Sequence, residues 1–297
     1  MWRAMLVRLW FLTGLVVVAV IGVAACGGGE GEVEESSAQE VAEQALAQEV
    51  AGDARRAQRP GQRTVTEERP QRIAAEGEVI FPDPAVEEAV RNDLKQEEGP
   101  IMIADMAQFT SFSVNQLLYV ADISGMEHMV NLTEFDLSQN ATGDISPVAG
   151  LTKLTRLDMA QNDISDLTPV TNLTNLTYLR VKDNRVSDLT PLSGLTNLTE
   201  LDLWENLITD ISPLSSLTNL ETLNLTKNQI SDISPLASLS NLNHLELTRN
   251  EITDISPLLE SGLGEGDTVR LWGLNLDDNS LNVVIPQLEE KGVRVDK

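Results

Sequence analysis

Between residues 129 and 260 the apolar positions follow one phrase that returns every 22 residues. The copy that begins at Leu151 shows it. Leu157 and Met159 alternate with Arg156, Asp158 and Ala160, the period of a strand with one face buried. Leu151, Leu154, Ile164, Leu167 and Val170 are spaced to point inward from the rest of the turn. The copies run 129–150, 151–172, 173–194, 195–216, 217–238 and 239–260. No single copy can hide its own apolar edges, so the turns are predicted to stack, each adding a strand to a parallel sheet, with caps at both ends. About seven strands at roughly 4.8 Å spacing would make a face some 30 Å across, the scale of a protein epitope.

Polar positions inside the phrase are as regular as the apolar ones. Asn140, Asn162, Asn184, Asn206, Asn228 and Asn250 keep strict register. An amide both donates and accepts, so a column of asparagines suits buried backbone groups where the chain leaves the sheet. These six are expected to be structural. Ser146-Pro147, Thr168-Pro169, Thr190-Pro191, Ser212-Pro213, Ser234-Pro235 and Ser256-Pro257 place a hydroxyl before a proline, which predicts a capped short helical turn on the convex side. Asp144, Asp166, Asp188, Asp210, Asp232 and Asp254 form a further column, read either as turn capping or as a calcium ladder. One carboxylate per turn is thin for a metal, and no metal or cofactor is expected.

The phrase L-x-x-L-x-x-L-x-L-x-x-N-x-[IV]-[ST]-D-[IL]-[ST]-P-[LV] resembles the leucine-rich repeat. Its 22-residue length and its D-[IL]-[ST]-P-L tail resemble the internalin-type bacterial branch, over residues 81–297. The resemblance implies an α/β repeat solenoid: a horseshoe with a parallel concave sheet, short helical turns on the convex side, a helical N-terminal cap and an α/β C-terminal cap.

The ends depart from the phrase as caps would. Asp83 and Pro84 can start a helix whose apolar positions are Ala85, Val86, Ala89, Val90 and Leu94, with Gly99-Pro100 after it. A second short helix is predicted near 104–109. Residues 113–128 read as a worn repeat that keeps Asp122-Ile123-Ser124. The unit 80–128 is thus a helical cap with a degenerate repeat, and 261–297 a C-terminal cap. In the latter, Leu274 replaces the ladder asparagine, 279–290 reads as a helix broken at Pro286, and 293–295 as a last strand.

Residues 1–25 form no part of this pattern. Arg3 and Arg8 precede an apolar run from Leu9 to Ala25, as in a secretory signal. Val23-Ala24-Ala25-Cys26 resembles the lipobox of bacterial lipoproteins, and Cys26 is the chain's only cysteine. The resemblance implies acylation of Cys26 and anchoring in the cell envelope, at the outer membrane or the cell surface. The alternative is an uncleaved membrane anchor, since roughly 17 apolar residues can just span a bilayer. Residues 26–79, rich in Glu, Gln, Ala and Arg, lack the large apolar side chains a core needs. They read as a disordered tether with a reach of roughly 40 Å, or less plainly as a charge-patterned partner-binding segment.

A net charge of −25 disfavours nucleic acid and direct adhesion to anionic lipid. No nucleophile triad, metal-spaced His/Cys cluster or phosphate loop is present, so an enzyme is not expected. What varies between copies is the concave side of each strand. Its first column is Glu134, Arg156, Tyr178, Glu200, Thr222, His244, and its second Asp136, Asp158, Arg180, Asp202, Asn224, Glu246. The third is Ser138, Ala160, Lys182, Trp204, Thr226, Thr248, with Trp272 further on. Tyr178, Arg180, Lys182 and Trp204 make an aromatic and basic cluster of residue types common at interface hot spots, with His244 and Trp272 as further candidates. The expected function is binding of another macromolecule, a protein, by a monomer. The alternatives are a glycan or cell-wall binder that stacks sugars on Trp204 and Trp272, and a surface spacer without a partner.

Overall fold

In the computed structural model the chain divides into two units, Met1–Gln71 and Arg72–Lys297. The described residues, 76–115 and 119–297, lie in the second. The signal segment, Cys26 and nearly all of the tether fall outside them.

Nine three-residue strands form one parallel sheet in chain order. They are β1 (Ser111–Ser113), β2 (Glu134–Asp136), β3 (Arg156–Asp158), β4 (Tyr178–Arg180), β5 (Glu200–Asp202), β6 (Thr222–Asn224), β7 (His244–Glu246), β8 (Thr268–Arg270) and β9 (Arg294–Asp296). β9 is the last strand predicted near 293–295, and β1, which begins two residues ahead of the worn repeat, is the strand not anticipated. Register is direct, so Glu134, Arg156, Tyr178 and Glu200 stand side by side on neighbouring strands. In the copy that begins at Leu151, Leu151, Leu154, Leu157, Met159, Ile164, Leu167 and Val170 are all at most 1% exposed. At about 1.5–3 kcal/mol for each fully buried aliphatic side chain, this stacked core is the main stabilising contribution.

The asparagine column bonds as its chemistry predicts. Asn184 Oδ1 accepts the Ile164 N–H at 2.9 Å, and its Nδ2 donates to the Met159 and Val181 carbonyls, both at 3.0 Å. Asn162, Asn206 and Asn228 repeat the arrangement. The residue before each asparagine has a left-handed backbone: Gln139, Gln161, Asp183, Glu205, Lys227 and Arg249, with φ between 55° and 62°. This turns the amide inward. The phrase does not reveal it, because none of the six is glycine; only the cap uses one, at Gly273.

The convex turns are 3₁₀ rather than α-helical, and their caps differ from the expected ones. The Ser or Thr before each proline is the first residue of the turn, and its hydroxyl does not cap. The aspartate two residues earlier does so: Asp144, Asp166, Asp188, Asp210, Asp232 and Asp254 each accept its N–H at 2.7–2.8 Å. A carboxylate two positions back reaches that N–H more directly than the residue's own hydroxyl can. Those bonds hold Asp166, Asp188 and Asp232 below the usual carboxylate range. The column is therefore engaged with the backbone. Among the described residues no three His, Cys, Asp or Glu side chains converge as metal ligands would.

At the N-terminal end α1 (Pro84–Leu94) is capped by Asp83, which accepts the Ala85 N–H at 2.9 Å, and buries Val86 and Val90. It stops at Lys95 in a left-handed cap, before Gly99-Pro100. The short α2 (Ile103–Met106) follows. Contacts begin slightly ahead of residue 80: Ile103 N–H donates to the Gly77 carbonyl, and Val79 N–H to Ile101. At the other end, Ser280–Val284 is a π-turn that runs directly into α3 (Ile285–Glu290). The helix is not broken at Pro286, because the proline sits in the first turn of α3, where its missing N–H costs little. The ladder ends where Leu274 replaces asparagine. Beyond it the fully buried Ser280 takes a comparable role, accepting the Ile255 N–H and donating to the Thr253 carbonyl, both at 3.1 Å.

Candidate concave binding face

Each three-residue strand from β1 to β8 buries its middle residue and turns its outer two to the concave side, with the exposed–buried–half-buried pattern of β2, β3 and β5. All three columns read from the sequence are present in register, but Ser138 and Ala160 of the third are buried rather than exposed on the concave side. Tyr178 and Arg180 lie on β4, Lys182 just after it, and Trp204 just after β5. These four are brought together. His244 on β7 and Trp272 beyond β8 are further along the sheet and do not join them.

The cluster is not a set of free cations. The Arg180 guanidinium bridges two carboxylates, with Nη1 3.2 Å from Asp158 and Nε 3.3 Å from Asp202. Lys182 places its ammonium 3.6 Å from the centroid of the Trp204 ring. Arg156 stacks its guanidinium 3.4 Å from the centroid of Tyr178. The three rows therefore pair laterally across β3, β4 and β5. Cation–π contacts of this kind contribute roughly 0.5–2 kcal/mol each, depending on desolvation. Arg156, Asp158 and Asp202 were not singled out from the sequence. Their signal was legible as Arg180 between two aspartates in the second column and the Arg-beside-Tyr step in the first.

The charge states follow from this packing. Burial pushes the Asp202 carboxyl up, against the Trp204 N–H and the Arg180 and Lys182 cations, which pull it down. Burial lowers the Lys182 ammonium, with the nearby carboxylates opposing. For Arg180 burial works against the charge, but Asp158 and Asp202 outweigh it and the net shift is upward. Burial raises the Tyr178 phenol, and Asp158 adds to the effect.

His244 is committed as well: its Nε2 lies 2.9 Å from Glu246, which also pairs with Arg270. Arg270 reaches Asp296 at 3.4 Å, and Arg294 reaches Asp296 at 2.9 Å. Trp272 carries no stacked cation among the described contacts and is 44% exposed.

Comparison with known proteins agrees with this architecture. The family model for leucine-rich repeats in two copies matches residues 130–172, 174–216 and 218–260. Internalin C2 of Listeria monocytogenes is 32% identical, over 75% of this chain and 99% of that one, with a TM-score of 0.66. A second internalin of that species, inlF, is 29% identical over 73% of this chain and 72% of that one, with a TM-score of 0.57. A leucine-rich-repeat protein of Leptospira interrogans, 22% identical over 62% of this chain and 50% of that one, shares the fold with a TM-score of 0.52. No curated protein sequence matches the chain. Nine parallel strands, a 22-residue asparagine ladder and near-complete coverage of an internalin together place it: the chain belongs to the internalin-like leucine-rich-repeat proteins.

Proposed function

We propose that this chain is an exported bacterial cell-envelope lipoprotein, held by acyl groups on Cys26, that captures a protein on its concave sheet. It acts as a monomeric binding module, not as an enzyme. The observation that supports the binding role is the preassembled lattice on β3–β5. Tyr178, Arg180, Lys182 and Trp204 are each held by a neighbour on the adjoining strand. A partner that docks there does not have to order them, which spares about 0.5–1.5 kcal/mol for each long side chain otherwise immobilised on binding. Tyr, Trp and Arg are also the residue types that dominate binding hot spots. Residues 26–79 would serve as the spacer that lifts the horseshoe off the lipid.

A photo-crosslinking side chain placed at position 178 on intact cells tests the binding site. A discrete protein adduct is expected there, absent with the same group at the convex position 174, and lost when Trp204→Ala is added. Equal labelling from both faces would refute a concave site. The anchor is tested separately: Cys26→Ser should abolish palmitate labelling and release the chain from membranes, and unchanged retention would refute lipidation.

A further inference from the structure

From β3 to β9 the second concave column reads as a palindrome about its centre: Asp158, Arg180, Asp202, Asn224, Glu246, Arg270, Asp296. Each arginine is clasped by the acid on either side, so both triplets are closed charge networks. Between them stands the uncharged Asn224, and the third column beside it runs Trp204, Thr226, Thr248, Trp272, an uncharged strip that passes Asp202, Glu246 and Arg270. The chain holds 4 tryptophans, and the two beyond the N-terminal apolar segment are the two that bracket this strip.

The polar groups of the strip are open while those around it are committed. Asn224 Oδ1 accepts the Thr226 N–H at 3.0 Å. Among the described residues nothing pairs with the Asn224 side-chain N–H groups, with the Thr226 and Thr248 hydroxyls, or with the two indole N–H groups. Thr155, Thr177 and Thr199, just before their strands, instead donate to the preceding turn's carbonyl at 3.1 Å. The strip thus offers donors, acceptors and two indoles with no charge of its own.

We infer that this strip binds an extended, uncharged oligosaccharide. Charge decides the class. A charged ligand of either sign would compete with pairs already made: Arg180 and Arg270 with their acids, Lys227 with Glu205, and Lys182 with the Trp204 ring. A neutral polyol does not. Its hydroxyls both donate and accept, as Thr226, Thr248 and Asn224 require, and its C–H faces pack on indole. Trp204 and Trp272 are three strands apart, about 14 Å at the usual strand spacing, room for a short run of sugar rings laid across the strands. Because the Lys182 ammonium already sits over the Trp204 ring, Trp272 is the stacking platform and Trp204 the near wall. The site does not rest on the protein-binding reading, and it shares only Trp204 with that patch.

The test uses the full chain with Trp2→Phe and Trp10→Phe, so that all indole emission comes from the strip, titrated with chitotetraose, cellotetraose and mannotetraose. At least one is expected to give a saturable emission change that weakens with the corresponding disaccharide. Trp272→Ala, and separately the isosteric pair Thr226→Val with Thr248→Val, should each weaken it by about tenfold or more, the scale of one lost hydrogen bond. Tyr178→Ala should leave it unchanged, whatever it does to protein capture. No response to any of the three sugars overturns the proposal. So does an equal response to tetragalacturonic acid, or binding that survives the threonine pair in a variant that melts like the parent.

Discussion

Two polar columns run the length of this solenoid, one inside and one on the concave face, and they obey opposite rules. The inner column is asparagine six times over. The outer one runs Asp136, Asp158, Arg180, Asp202, Asn224, Glu246, Arg270, Asp296 and hardly repeats. The inner position faces fixed backbone groups, an N–H from the turn before and carbonyls from two turns, so only a side chain that donates and accepts at that reach will serve. The outer position, where it is Asp or Asn, accepts the N–H two residues on at 2.9–3.1 Å, and beyond that meets its lateral neighbours. Charge is matched where an arginine stands between two acids, at Arg180 and Arg270, while Asp136 and Asp158 stand side by side. Irregularity on the concave face is therefore constrained by neighbours as well as by the backbone.

The sharpest way to break the comparison is to exchange the rules. Asn184→Leu keeps the volume apolar but leaves the Ile164 N–H and the Met159 and Val181 carbonyls buried without this partner. A loss on the order of 3 kcal/mol is expected by urea unfolding, since each orphaned buried group costs about 1–3 kcal/mol. A change within error would mean that the ladder does not hold the turns together.

Gly262 tests the same rule where the spacing slips. The step from β7 to β8 is two residues longer than the 22-residue step before it, and Gly262 donates its N–H to the Leu239 carbonyl within this stretch. A Cβ there would stand 2.1 Å from the Ser240 carbonyl oxygen, a backbone atom that cannot swing away. Gly262→Ala should cost about 2 kcal/mol by thermal melt, in the range of overpacked cores. An unaffected melt would show that the two turns are not in fixed contact.

On the concave column, Arg180→Met removes the cation that two carboxylates share. The half-buried geometry puts the loss at about 1–2 kcal/mol near neutral pH, between exposed and buried ion pairs. The pH course follows from Asp202. Burial holds its folded pKa above the ordinary carboxylate value, so folding favours its protonated form. The stability linked to it is fully present below that value and is lost as pH rises through the folded pKa. Removing Arg180 takes away a cation that lowers that pKa, so the deficit of the variant should be greatest at neutral pH and shrink on acidification as Asp202 protonates. A deficit independent of pH would mean that Arg180 acts by packing alone.

These columns also mark how far the sequence could be read. Period-two alternation at Leu157 and Met159, the asparagine register and the 22-residue step were enough for the solenoid, its parallel sheet and most of the exposed positions, though not for Ser138 and Ala160, which are buried. Identical turns can stack in one way only, so local pattern and global fold agree. Lateral partnerships are different, because they join residues 22 apart through contacts that no single copy displays. The bridge from Arg180 to Asp158 and Asp202, and Arg156 over Tyr178, appear only once the strands are laid side by side. An aromatic and basic cluster in sequence thus became a closed lattice in space. The open chemistry moved to Thr226, Thr248 and Asn224, which attract no attention in a repeat full of threonines and asparagines.

The smallest test concerns the residue that turns the asparagine inward. Gln161 holds a left-handed backbone at φ 59° while its N–H donates to the Lys182 carbonyl at 2.7 Å. A non-glycine residue pays roughly 1–2 kcal/mol for that conformation. Glycine avoids the strain but orders a more flexible chain, at roughly 0.5–1 kcal/mol. Gln161→Gly should therefore raise stability by about 0.5–1 kcal/mol, measurable as a shift of the urea midpoint without a change of slope. A loss of stability would mean that the glutamine side chain makes a contribution larger than the strain it imposes. In that case the position just before the ladder belongs with the concave columns, chosen by its neighbours, and not with the asparagine it positions.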